Sequence, residues 1–399
     1  MKIGVVLDAK LGSGGGYQQS LNALLQLARI SPQWLSIEVF TNDAANMSHL
    51  SLAGIPVKVV GRGMQRRLLR ALFMPAAADL FLARCKIATA LERAMRARGV
   101  DLAYFVTPSP YASAMRSLPY IFTVWDLCHR DHPEFPEVSA DGEFSWRENL
   151  YRNAINRSFF TVSDSDELNR RIEARYGTDR DRLLALPFQP ARFVVDAVDD
   201  DDFTAEVKRL ALPSDYLFYP AQFWPHKNHV RILEALARLR TSGQRYPAVF
   251  CGGDQKSGAK RHIQSVAKKL GICDQVVFLG FVDERQMRVL YSLAKALIMP
   301  TYFGPTNLPP LEAWAFNKPV IYSTQLASQV AGAALCINPD SVSELAEAIE
   351  RVYGDDVLVE CLVKEGRLRL HEIGAIRLAA EAQLLAKLEI FRIRRSCWK

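Results

Sequence analysis

Short apolar runs rich in Val, Ile, Phe and Tyr alternate along this chain with longer stretches whose apolar positions recur at helical spacing. That alternation is the signature of βα units wound around a parallel sheet. It predicts strands at Lys2 to Asp8, Ser36 to Thr41, Asp101 to Val106, Tyr120 to Trp125, Phe159 to Val162 and Leu183 to Leu186, forming one doubly wound sheet. After Pro187 the pattern lapses, with four consecutive aspartates at 199–202 and prolines at 190 and 213, and reads as a crossing whose acidic run is a solvated loop. A second series follows at Tyr216 to Pro220, Ala248 to Cys251, Val276 to Phe281, Ala296 to Pro300, Pro319 to Tyr322 and Ala334 to Ile337, and from Ser341 the pattern is helical. The expected fold is α/β: a Rossmann-like domain at 1–190, a second at 191–375, and a C-terminal helix at 376–399 packing back toward the first. Two such domains would face each other across a cleft, with ligands at the carboxyl ends of the strands.

Composition narrows the function classes. The 399 residues are 49% hydrophobic, enough for proper cores, and the formal charge is +7, favouring an anionic partner. The seven cysteines are scattered, without a CxxC or a zinc-spaced Cys/His cluster, so a reduced, cytoplasmic protein is expected. No run reaches about 18 apolar residues, and MKIGVVLD reads as a strand rather than as a signal peptide. Between Arg62 and Arg98, nine cations oppose only Asp79 and Glu92 and mix with leucines and phenylalanines. Such a face suits peripheral contact with anionic lipid at the inner side of the cell membrane, or equally an amphipathic core helix with a solvated rim. With no RNP motif, recognition helix or aromatic-basic interleaving, nucleic acid is not an expected partner.

Three segments have the composition for binding chemistry. Glycines 14, 15 and 16 precede a helix with apolar residues at 21, 24, 25 and 28, where backbone amides can approach an anion or a sugar hydroxyl; the spacing is neither GxGxxG nor a P-loop. In YLFYPAQFWPHKNHVRILEALARL, Lys227 falls at a loop-to-helix junction and suits a diphosphate. In ALIMPTYFGPTNLPPLEAWAFNKPVIYS, a strand runs into a loop and then a helix led by Pro309 and Pro310, with free amides around Asn307 and Leu308. Glu312 sits among apolar residues and needs a partner, either a ribose diol or a structural salt bridge. Asp164-Ser165-Asp166 resembles a metal-binding DxD, but follows a strand and opens a helix, where Ser163 and the acids read as caps. His226 and His229, like His129 and His132, lack the further ligands of a zinc site.

The GGG turn, TVWDLCHRDHPEFPEV, FFTVSDSDELNRRI, YPAQFWPHKNH, VVFLGFVDERQMRVLYSLAKALIMPTYFG and LPPLEAWAFNKPVI together resemble the family 4 glycosyltransferases of the GT-B fold over nearly the whole chain. The resemblance implies retaining, metal-independent transfer of a hexose from a nucleotide-diphosphate sugar, GDP- or UDP-linked. It implies no cofactor, and a glycan or lipid-linked glycan acceptor in O-antigen- or capsule-like surface polysaccharide synthesis. By position it places Lys227 on the diphosphate, Glu312 on the ribose, the amides of Thr306, Asn307 and Leu308 on the phosphates or donor sugar, Phe281 and Val282 by the base, and Gly15 and Gly16 beneath the sugar-diphosphate. Asp126 and His129 fall in the acceptor-side element and are the remaining catalytic candidates. Three positions depart from the family pattern: Gly304 where the first glutamate of EX7E belongs, Gln222 where an arginine often accompanies the lysine, and Trp125 where a histidine often precedes the aspartate. A nucleotide-sugar epimerase and a non-catalytic GT-B-like scaffold are the alternative readings.

Overall fold

The computed structural model describes residues 1–8, 15–47, 56–60, 88–191, 194, 200–254 and 258–398. The chain divides into two compact units, one of residues 1–188 with 376–399 and one of residues 189–375. Each carries a wholly parallel sheet among the described residues. The first orders its strands β3-β2-β1-β4-β5-β6-β7, with β1 Lys2–Leu7, β2 Ser36–Thr41, β3 Val57–Val59, β4 Leu102–Phe105, β5 Tyr120–Thr123, β6 Phe160–Ser163 and β7 Leu183–Ala185. The second is β10-β9-β8-β11-β12-β13, with β8 Leu217–Pro220, β9 Ala248–Cys251, β10 Val276–Gly280, β11 Ala296–Met299, β12 Val320–Ser323 and β13 Leu335–Ile337. The apolar runs form strands because helices cover both faces of a parallel sheet: β4, β5, β9, β11 and β12 are buried along their full length.

Two expectations fail for stated reasons. β3 escapes the pattern because it has three residues, follows Pro56 and, among the described residues, pairs only with β2. The crossing is not all loop, since a helix runs over Asp200–Leu210 and takes in three of the four aspartates. Phe203, Val207 and Leu210 carry helical spacing there, which the acidic run disguises. The helix Asp356–Arg395 is continuous; its residues through 375 belong to the second unit and those from 376 to the first.

In both sheets the strand order reverses at one point, between β1 and β4 and between β8 and β11. In open α/β sheets such a reversal is where ligands bind, outside the carboxyl ends of the two strands. In the first unit this point is laced internally: buried Asp8 accepts hydrogen bonds from Thr107 Oγ1 at 2.5 Å and Ser109 Oγ at 2.9 Å. In the second unit the corresponding loops, 221–228 and 300–307, carry Gln222, Lys227, Thr306 and Asn307.

Candidate functional site

The loop after β8 is fixed residue by residue. Tyr219 Oη donates to the Lys227 carbonyl at 2.9 Å, and the His226 carbonyl accepts from the Tyr302 amide at 2.9 Å and Thr301 Oγ1 at 3.1 Å. The His226 ring stacks on Phe303 with centroids 4.1 Å apart. Asn228 adopts a left-handed conformation at φ 58° and is buried, its amide donating to the carbonyls of Pro300 at 3.2 Å and Pro339 at 2.8 Å. The two loops flanking the reversal are thus laced together. Gly252, after β9, completes the close approach, since an added Cβ would stand 2.2 Å from the Ala221 carbonyl oxygen. Asn228 and Gly252 are positioning residues that local sequence pattern did not single out.

This lacing brings Lys227 Nζ within 3.4 Å of Asn307 Oδ1. Asn307 is the residue before the helix Leu308–Ala315, where Pro309 and Pro310 occupy the first turn as expected. Those prolines also remove two of the four amide donors at a helix start, so the amides left to face an anion are fewer than at an ordinary N-terminus. Gly304 has φ +157°, and a Cβ there would stand 2.8 Å from Asn307 Oδ1. Where the resemblance calls for a glutamate, the Asn307 amide fills the space.

Glu312 is buried, 6% exposed, and finds its partner inside the unit: Tyr291 Oη donates to its Oε2 at 2.7 Å. Burial pushes its carboxyl up to about 7, against the Tyr291 hydrogen bond and a backbone bond from Ala191. Neither bond is a salt bridge, and Tyr291 lies 21 residues upstream, beyond any local signal. Gln222 Oε1 accepts from Trp224 Nε1 at 2.7 Å. Phe281 is 66% exposed while Val282 is buried. Nearby, His229 packs among Tyr219, Phe223 and Phe250. Burial, with the charge of Lys227 adding to it, holds its ring down at about 3, so it is neutral.

The remaining candidates belong to the first unit. A helix starts at Gly15, and the lack of a side chain at Gly16 lets the Trp125 ring approach, 3.1 Å from where a Cβ would be. Asp126 Oδ1 accepts from the Cys128 amide at 3.0 Å and from Arg147 Nη1 at 3.2 Å. His129 lies inside the first unit. It is fully buried at 0% exposure, its ring edge-on to Phe144 and Tyr151 and its Nε2 3.3 Å from Glu148 Oε2. Burial raises the Glu148 carboxyl, yet hydrogen bonds from Arg130 and His129 hold it down at about 2, while burial lowers His129 itself. In this environment the histidine braces an internal carboxylate. At the DxD-like segment the cap is Ser165, whose Oγ accepts from the Leu168 amide at 3.3 Å, while Ser163 bonds Asn169. Gly14 and the basic stretch from Arg62 to Lys86 lie outside the described residues. Among the described residues no helix is long and apolar enough to cross a membrane.

Comparison with known proteins follows the same lines. Residues 200–369 match the model of the family Glycosyl transferases group 1. The O-antigen chain mannosyltransferase RfbU of Salmonella typhimurium is 26% identical over 195 residues, 48% of this chain and 49% of that protein. A D-inositol 3-phosphate glycosyltransferase of Salinispora tropica is 30% identical over 296 residues, 63% of this chain and 60% of that protein. The chain thus spans about half the length of the first relative and under two thirds of the second. Anabaena HepE, solved in complex with UDP and glucose, superposes with a TM-score of 0.70 at 16% identity, covering 97% of this chain and all of that one. With sheets, strand orders and family match in agreement, the chain has the two-domain GT-B fold and carries a group 1 glycosyltransferase domain over residues 200–369.

Proposed function

We propose that this chain transfers a hexose from a GDP- or UDP-linked donor to a glycan or lipid-linked glycan acceptor in surface polysaccharide synthesis, retaining the anomeric configuration and needing no metal. The observation that carries the reading is the meeting of Lys227 and Asn307 at the strand-order reversal of the second unit, beside a helix start. An ammonium there neutralises a leaving diphosphate, and the amides near Asn307 add to it. The glycosidic carbon–oxygen bond to the diphosphate breaks, the acceptor oxygen bonds the same carbon on the same face, and the acceptor's proton passes to the departing phosphate. The protein's work is to hold both substrates and the developing charge. The mannosyltransferase relative favours a polysaccharide acceptor.

The test is a panel of UDP-, GDP- and dTDP-sugars scored by thermal shift, followed by transfer assays. One nucleotide series should raise the melting temperature, since a ligand that binds only the folded state stabilises it. Lys227→Ala should abolish that shift and slow transfer about 30- to 1000-fold, as expected for loss of one charge-assisted contact to developing charge. No shift with any nucleotide sugar rejects the proposal in favour of a non-catalytic scaffold, and donor conversion without an acceptor would mark an epimerase.

A further inference from the structure

We propose that Asn307 is a positioning residue that aims the Lys227 ammonium at its anionic ligand, and that Gly304 is a glycine so that the Asn307 amide can reach it. This deepens the proposed function and rests on a nucleoside diphosphate being that ligand.

Asn307 occupies the capping position of the helix Leu308–Ala315, yet its side chain makes no capping hydrogen bond. The reason is covalent. A capping oxygen accepts from the amide of the second or third helical residue, and here those are Pro309 and Pro310, which have no amide hydrogen. Released from that role, the carboxamide is held by another set of partners. Its Nδ2 donates to Tyr322 Oη at 2.7 Å and lies 3.4 Å from Gln329 Oε1. Tyr322 Oη donates in turn to Gln329 Oε1 at 2.7 Å, and Gln329 Nε2 donates to the Gly304 carbonyl at 3.4 Å.

Read in order, the donors run Asn307, Tyr322, Gln329, and end on the backbone of the same loop. That chain fixes which way round the amide sits. With Nδ2 committed to Tyr322 and Gln329, Oδ1 must face the other side, where Lys227 Nζ lies at 3.4 Å. Asn307 and Tyr322 are both buried, so the arrangement is held by packing as well as by hydrogen bonds. The space for Oδ1 exists because residue 304 has no side chain: a Cβ there would stand 2.8 Å from Oδ1 and 3.3 Å from Nδ2. An amide oxygen orients an ammonium while adding no negative charge of its own beside an incoming diphosphate; a carboxylate at the same place would repel it.

A double-mutant cycle on nucleotide binding tests this. UDP and GDP are titrated calorimetrically into the full chain, wild type, Lys227→Ala, Asn307→Ala, the double variant, Asn307→Asp and Gly304→Ala, each first shown to melt cooperatively. Asn307→Ala should weaken binding about tenfold, the worth of one charge-assisted hydrogen bond, and should have no further effect once Lys227 is alanine, because its influence passes through the lysine. Asn307→Asp should weaken binding more than alanine does. Gly304→Ala should match Asn307→Ala, by displacing the amide without altering it; if that variant does not fold, the cycle and the aspartate variant decide. Binding that needs Lys227 but is indifferent to Asn307, or losses that simply add in the double variant, overturn the inference alone. If neither nucleotide binds the wild type, or Lys227→Ala binds as well as wild type, the proposed function falls together with it.

Discussion

Glu312 is a carboxyl group whose ionisation the fold opposes. Tyr291 and the Ala191 backbone each give it a hydrogen bond, but burial outweighs both, pushing the group from an ordinary 4.5 up to about 7. Between those values the unfolded chain is ionised and the folded one is not, so the unfolded state holds fewer protons and stability falls as pH rises through the window. Above pH 7 the folded state carries the buried charge at a cost of about 3 kcal/mol. In urea titrations at pH 5 and pH 8, wild type should therefore lose stability relative to Glu312→Gln by about that amount, the glutamine having no charge to bury. An identical pH response in both proteins would show that the carboxyl is not perturbed. If a ribose diol donates to this group, ligand and pH are linked: a UDP-sugar, which has no phosphate ionisation near neutrality, should bind more tightly at pH 8 than at pH 6, and Glu312→Gln should flatten the difference.

The loop that presents Lys227 owes its shape to Asn228, whose left-handed backbone turns the chain into the helix His229–Thr241 while its amide ties down the ends of two other loops. Asn228→Ala loses both buried hydrogen bonds and the tolerance for positive φ, and should cost about 2–4 kcal/mol. Asn228→Gly keeps the backbone conformation and should cost less, so the two variants compared by urea denaturation separate the turn from the bonds. Equal losses would mean that the backbone angle carries no weight. These tertiary ties explain what sequence reading could and could not reach. Apolar runs such as Ala248–Cys251 were legible as strands because a sheet covered on both faces demands unbroken hydrophobicity. Lys227 at its junction and the proline-led helix start were legible because their signals are local. The pairings of Asn307 with Tyr322, and of Glu312 with Tyr291, were not, since these hydrogen bonds join residues 15 and 21 apart that only the tertiary fold brings together. The surroundings of His129 were hidden for the same reason: the resemblance singled out the residue, but only the fold sets Glu148 against it, 19 residues on.

The last stretch of chain belongs structurally to the first. Ala380, Leu384, Leu388 and Phe391 are buried in one cluster with Val5, Leu24, Leu27 and Tyr104, and Phe391 packs against Phe159 at 5.2 Å. Polar ties accompany them: buried Glu381 accepts from Gln26 at 2.8 Å and pairs with Arg29, while Lys387 donates to the Asp181 carbonyl. The spacing 380, 384, 388 and 391 presents one helical face, so the C-terminal segment completes the hydrophobic layer over the first sheet. The same helix carries apolar residues that serve no such purpose, among them Leu368, 55% exposed. The pair makes a controlled comparison along one element. Leu388→Ala, at 0% exposure, should destabilise the protein by about 2–5 kcal/mol, the range for emptying a leucine site in a packed core. Leu368→Ala should fall within about 0.5 kcal/mol of wild type, as surface substitutions do. Both are read from urea midpoints monitored by tryptophan fluorescence, to which Trp34, Trp125 and Trp146 report from the first unit and Trp224 and Trp314 from the second, where Leu368 lies. A Leu388→Ala midpoint that stayed with wild type would mean the segment rests on the first unit without helping to hold it, and its removal after residue 375 would then be harmless; the buried cluster requires the opposite, an N-terminal unit that loses its cooperative transition when the segment is cut away.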